Sequence, residues 1–229
     1  MRHGTTSGLS SMIEPKHFKI LAAIGVALWA ATLYSQGTPL HLALLKPFSI
    51  VVTAMAVSWS AFDRWVWRWQ PLSGWFVSRP DLQGTWKGKL ASNWEDSNTG
   101  ERTQQIQVYV VVRQTYSKVA IRLFTAESSS QSSSAQVNYD EERVYTVAAT
   151  YTNTPRILNR NRSPMHRGAV VFQVVGGPPV ALTGEYWTDR ETKGEITLGA
   201  RCDTLADSFD QASLFQYAEP REHAATAGE

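Results

Sequence analysis

Six side chains in the second half of this chain carry chemistry suited to a flat, anionic ligand. In the run Leu182-Thr-Gly-Glu-Tyr-Trp-Thr-Asp-Arg190, the alternate residues Tyr186, Thr188 and Arg190 share one strand face with Leu182 and Gly184. Tyr151 and Asn153, two apart, share a face on a second strand-like run, and Trp86 stands between Gly84 and Gly88, which leave room beside its ring. Aromatic faces stack on a nucleobase, while an arginine with hydroxyl and amide neighbours forms charge-assisted hydrogen bonds to phosphate. With Leu182 turned inward, Arg190 and Thr188 line a cavity mouth, Tyr186 offers a stacking face and Trp86 closes one end. The alternative is ordinary polar closure of a barrel, with Arg190 capping it. Arg156, Arg160, Arg162 and Arg167 form a basic loop that suits a phosphate or anionic lipid headgroups equally well.

The chain offers little for catalysis. Of its five histidines, His3, His17 and His41 lie in or beside apolar N-terminal runs and His223 lies in the tail. That leaves His166 as the one base for a nucleophile pair, and in the loop Arg162–Gly168 it reads as a solvated residue. No GxSxG, HExxH, P-loop or GxGxxG run is present. The single Cys202 excludes an intramolecular disulfide and a cysteine zinc cluster. The expectation is a binding protein with no enzymatic activity, no cofactor and no metal.

The elements that must position these residues differ between the two halves. The 229 residues include 9 Trp, 8 Tyr and 8 Phe, enough apolar surface to exclude disorder along the whole chain. A balance of 22 Lys+Arg against 20 Asp+Glu makes no basic field for a DNA or RNA polymer. Residues 1–78 hold 6 of the 9 tryptophans and only 2 acidic residues, whereas residues 79–229 are acidic by a net charge of −2.

Ile20–Leu45 and Pro47–Phe62 contain no charged residue, and Ser35-Gln-Gly-Thr-Pro39 breaks them with turn residues. The pattern predicts a helix over Phe18–Tyr34 and another over Leu40–Phe62, a transmembrane hairpin within residues 18–69 behind a tail of residues 1–17. A bilayer core of ~30 Å takes ~20 apolar residues, so Lys19 and Lys46 must snorkel to the surface. Trp65, Trp67, Trp69 and Trp75, with Arg64 and Arg68, read as an interfacial belt. A secretory signal also starts basic and then apolar, but the long basic region and the second apolar run favour a retained hairpin. A buried soluble hairpin is the other alternative, and the tryptophan belt argues against it. Basic residues flank both outer ends, so the positive-inside rule puts both termini in the cytoplasm.

From Asp81 the apolar spacing switches to period two. Strand-like runs cover Gly84–Leu90, Ile106–Val112, Val119–Leu123, Tyr145–Tyr151, Ala169–Val175, Val180–Arg190 and Thr192–Cys202, and Ser134–Tyr139 can supply an eighth. Eight strands in an antiparallel up-and-down meander over residues 79–215 predict a lipocalin-like barrel with room for one small ligand; a β-sandwich is the alternative. The run Glu127-Ser-Ser-Ser-Gln-Ser-Ser-Ser134 reads as a flexible hairpin loop, and residues 216–229 as a disordered tail.

An apolar hairpin followed by Asp81-Leu-Gln-Gly-Thr-Trp-Lys-Gly88, Tyr151-Thr-Asn-Thr-Pro155 and Leu182-Thr-Gly-Glu-Tyr-Trp-Thr-Asp-Arg-Glu-Thr-Lys-Gly194 resembles one family. It is similar, over roughly residues 15–202, to the two-transmembrane, β-strand-rich effectors of bacterial CBASS anti-phage systems. The last motif is moderately specific, whereas Gly-Thr-Trp is shared with lipocalin-like barrels. The resemblance implies a sensor: a cytoplasmic barrel binds a cyclic di- or oligonucleotide, the protein forms a homo-oligomer, and its helices disrupt the inner membrane. Two other expectations stand beside it. A membrane-anchored carrier of an apolar molecule predicts a cavity lined by Val and Leu, and a structural membrane protein predicts a filled core.

Overall fold

The computed structural model describes residues 15–36, 45–95, 105–140 and 144–218. It divides into two compact units, Met1–Val77 and Ser78–Glu229.

The first unit contains α1 (Pro15–Gln36) and α2 (Leu45–Arg64). Most of the expected N-terminal tail, the turn at Gly37–Pro39 and the expected start of the second helix at Leu40 lie outside the described residues. Gly25 lets α2 approach α1 closely, because a β-carbon there would stand 2.7 Å from Met55 Sδ. Both helices expose apolar side chains, including Ile24, Val26, Ile50, Val52 and Val57. Among the described residues, no helix is long and apolar enough to cross a membrane. The four-tryptophan belt is corrected at one position. Trp65, Trp69 and Trp75 are exposed, but Trp67 is 2% exposed with the Arg68 guanidinium over its ring.

The second unit is a closed antiparallel barrel in which β1 (Gly84–Ser92), β2 (Ile106–Gln114), β3 (Val119–Phe124), β4 (Ser128–Tyr139), β5 (Tyr145–Pro155), β6 (His166–Val175), β7 (Ala181–Thr188) and β8 (Lys193–Cys202) pair in chain order. Each strand pairs with the next, and β1 pairs with β8. Closure removes the sheet edges and excludes the sandwich.

The serine-rich run is a strand and not a flexible loop. Ser128–Ser132 pair with Thr152–Pro155 and Tyr151 on one side, and Ser129–Gln131 pair with β3 on the other. A bulge between Ser132 and Ser134 shifts the alternation, so Ala135 and Val137 pack against the interior. Ladders on both sides hold a segment whose own residues have weak strand preference.

One end of the barrel is filled. Trp86, Val110, Val147, Phe172, Leu182 and Leu198 are buried there, and Trp86 Nε1 donates to Leu82 O at 2.9 Å. The segment leading into β1 crosses this end. Leu82 N donates to Gln114 Oε1 at 2.8 Å, Gln114 Nε2 donates to Pro80 O at 3.0 Å, and the Tyr145 hydroxyl donates to Ser78 O.

Beyond β8 the chain folds back over the outer wall. Tyr109, Val111 and Phe124, which point outward, are covered by Ala206 and Ala212, with Phe209, Phe215 and Tyr217 packed against them. The helix α3 (Phe209–Ser213) begins at Ser208, whose side chain accepts from Gln211 N. Order continues past Phe215: Tyr217 stacks on Tyr109 with ring centroids 5.8 Å apart, and Ala218 bridges Arg201. The expected disordered tail is therefore corrected over residues 216–218, and its remainder lies outside the described residues.

Candidate ligand-binding site

At the end opposite Trp86 the barrel opens into a cavity of about 550 Å³. The size suits a nucleotide-scale ligand. Its floor is apolar, with Ile121, Leu123, Phe172 and Ile196, and its mouth is polar.

Aromatic–glycine pairs make the space. Tyr151 is the cross-strand partner of Gly168, Phe172 of Gly184, and Tyr186 of Gly194. A β-carbon at Gly184 would stand 2.6 Å from the Phe172 ring, and one at Gly194 would stand 2.8 Å from the Tyr186 ring. Each ring occupies the place of the missing side chain. The consequence is that three successive seams of the wall carry large aromatics while an open volume remains.

Five of the six residues singled out in the sequence border this cavity: Tyr151, Asn153, Tyr186, Thr188 and Arg190. Trp86 does not. It is completely buried in the filled end, with the Arg201 guanidinium 5.3 Å from its ring centroid. Its part is to plug the barrel, and nothing places it against a ligand.

Arg190 is not on a strand face. The strand β7 stops at Thr188, whose N–H donates to Thr192 O at 2.9 Å, and Glu191 adopts φ 62° to close the hairpin. From this turn Arg190 reaches across to Ser163, donating from Nη1 to its Oγ at 3.1 Å. No described carboxylate pairs with the Arg190 guanidinium. A half-buried cation held by a neutral hydroxyl suits an incoming anion.

Asn153 is buried, and its Nδ2 donates to Ser130 Oγ at 2.8 Å and Ser128 Oγ at 3.0 Å. These bonds fix the carboxamide plane at the cavity wall. Burial pushes the Tyr151 hydroxyl well above its ordinary titration range, with smaller contributions from Tyr186 and Asp189. Burial also raises Tyr186, against a hydrogen bond with Ser92 that lowers it. Both hydroxyls therefore stay protonated and can donate at neutral pH.

His166 is corrected as well. It opens β6 and borders the mouth, with Nδ1 3.1 Å from Pro164 O. In the basic loop, Arg162 Nη2 donates to Glu127 Oε2 at 2.6 Å, and Arg156 lies 3.6 Å from Asp210. These arginines face carboxylates, unlike Arg190. Ser128, Ser130, Ser163, Thr192 and Phe209 also border the cavity without having been singled out. Ser128 and Ser130 were hidden by the low-complexity run, whose uniformly polar residues carry no period-two contrast; only pairing with β3 and β5 sets which of them face inward. No group of three or more His, Cys, Asp or Glu side chains among the described residues could hold a metal.

Comparison with known proteins agrees with this geometry. The chain is 28% identical over 150 residues to CD-NTase-associated protein 15 of Staphylococcus schleiferi, covering 66% of this chain and 76% of that protein. Residues 77–200, all eight strands except the last two residues of β8, match the Cap15 cyclic dinucleotide receptor domain. That match spans more than half of the chain, which therefore belongs to the family of Cap15 cyclic dinucleotide receptors.

Proposed function

We propose that this protein is a membrane-bound effector of CBASS anti-phage immunity, in which a cyclic dinucleotide occupies the open end of the barrel. Binding drives self-association, and the N-terminal helices then disrupt the bacterial inner membrane, leading to death or growth arrest. Both termini lie in the cytoplasm. The observation that carries the reading is the unneutralised Arg190 at the mouth of a 550 Å³ cavity walled by Tyr151 and Tyr186. Stacking on the tyrosines and a charge-assisted bond from Arg190 supply base and phosphate recognition together. The uncharged runs Ile20–Leu45 and Pro47–Phe62 and the exposed apolar residues of α1 and α2 support contact with lipid. Ligand can promote assembly only by binding the assembled state more tightly than the free one.

The test is calorimetry on the full-length protein in detergent against a panel of cyclic dinucleotides. Micromolar or tighter binding to one of them, with thermal stabilisation that grows with ligand concentration, supports the reading. Absence of binding across the panel overturns it. The apolar floor formed by Ile121, Leu123 and Ile196 favours a second reading, a carrier of an apolar molecule. A lipid recovered from the cavity that no cyclic dinucleotide displaces would establish the carrier instead.

A further inference from the structure

A cyclic dinucleotide carries two bases, and the inner part of the cavity offers its tyrosines, Tyr151 and Tyr186, on β5 and β7. Phe172 on β6 and Trp94 just past β1 also border the cavity, and a further aromatic side chain borders it from outside the barrel wall. Phe209 belongs to α3, beyond residue 200 where the family match ends. It is half-buried and packs edge-on against Tyr109, with ring centroids 5.2 Å apart.

The segment that carries Phe209 is fixed to the barrel at several points. Thr85 Oγ1 donates to Thr204 O at 2.6 Å and accepts from Ala206 N at 3.0 Å. Asp207 pairs with Arg113 at 3.0 Å, and Tyr217 stacks on Tyr109. Asp210, the neighbour of Phe209, lies 3.6 Å from Arg156 at the start of the loop whose Asn159, Arg162 and Ser163 border the mouth. Phe209 is therefore presented at the rim by a segment tied to the wall at several points, which a ligand stacked on its ring would hold in place more firmly.

We propose that Phe209 is a ligand-contacting residue that stacks on the outer base of the bound cyclic dinucleotide, so that the C-terminal segment helps to select the ligand. The inference rests on the receptor reading above, which supplies the ligand class. Tyr151 and Tyr186 take the inner base, and the outer base lies at the rim against Phe209.

The experiment is calorimetry on full-length protein in detergent with cyclic di-AMP, cyclic di-GMP, cyclic di-UMP and a mixed purine–pyrimidine cyclic dinucleotide. Phe209→Leu keeps an apolar side chain on Tyr109 but removes the aromatic face. It should weaken the preferred ligand on the order of tenfold or more and flatten the ranking among bases, while Phe209→Trp retains affinity. Hydrogen exchange on the wild-type protein provides a second reading that needs no variant: amides of residues 205–214 should gain protection when ligand binds. Wild-type affinity and ranking in Phe209→Leu, equal weakening in the Leu and Trp variants, or no added protection would each overturn the role of Phe209 and leave the receptor reading standing. A wild-type protein that binds none of the four overturns both.

Discussion

The Tyr151 side chain lies across its cross-strand partner Gly168: a β-carbon at Gly168 would stand 2.5 Å from the Tyr151 hydroxyl oxygen and 2.5 Å from Trp187 O. The glycine lets a large ring lie along the wall instead of filling the centre, so it helps to create the cavity although it contributes no side chain to it. The same relationship recurs at Phe172 with Gly184 and at Tyr186 with Gly194.

Gly168→Ala should therefore destabilise the protein by about 1–3 kcal/mol, the usual cost of forcing an extra carbon into a packed site. It should also weaken ligand binding by displacing Tyr151. Thermal unfolding and calorimetry on the same preparation check both effects. Unchanged stability with wild-type affinity would show that the wall relaxes around the methyl group.

Arg190→Ala removes the cavity's unneutralised cation while leaving the hairpin backbone bonds between Thr188 and Thr192 in place. Loss of a charge-assisted hydrogen bond of about 1.5–3 kcal/mol corresponds to roughly 10- to 150-fold weaker binding. The melting temperature without ligand should not change. Calorimetry showing unchanged affinity would remove Arg190 from the site.

Alkaline pH should destabilise the barrel. Tyr109, Tyr151, Tyr186 and Tyr217 all have hydroxyls raised above the ordinary value of 10.0, burial being the largest cause in each. In the unfolded chain they lose protons near that ordinary value, so above it the unfolded state binds fewer protons than the folded one and stability falls as pH rises. Below about pH 9 both states keep these protons, and the tyrosine contribution is flat. Denaturant titrations from pH 7 to 11 measure the slope, and Tyr151→Phe should reduce the loss above pH 10.

Val26→Asp places a charge in the middle of α1, at a residue 65% exposed. A charge at the centre of a membrane helix costs about 2.5–3.5 kcal/mol on insertion scales, so under the proposed membrane-disrupting role dye leakage from liposomes should be lost while affinity for the cyclic dinucleotide is kept. Leakage at the wild-type rate would argue against lipid contact by this helix.

The alternation of Gly84, Trp86, Gly88 and Leu90, and of Ile106 through Val112, was enough to read strands and an inward face from the chain alone. Period two is a local property of extended backbone, and Tyr151 with Asn153, or Tyr186 with Thr188, had to share a face wherever the strand lay. Short polar turns between such runs implied neighbours in chain order, hence an antiparallel meander.

Tertiary structure decided which end of the barrel each residue occupies. Trp86 and Tyr186 both point inward, but their register against β8 puts Trp86 opposite Arg201 in the filled end and Tyr186 opposite Gly194 at the cavity. Partners on both sides made Ser128–Ser132 a strand despite its composition, because ladder bonds outweigh weak intrinsic preference. The end of β7 at Thr188 left Arg190 in the hairpin turn that Glu191 closes at φ 62°, and the outward rings of Tyr109 and Phe124 gave Phe209 and Tyr217 a surface to cover. Sequence determined which residues face inward, since that depends on neighbours two positions apart. Register, closure and the return of the C-terminal segment depend on residues tens of positions away, and only the folded chain brings those together.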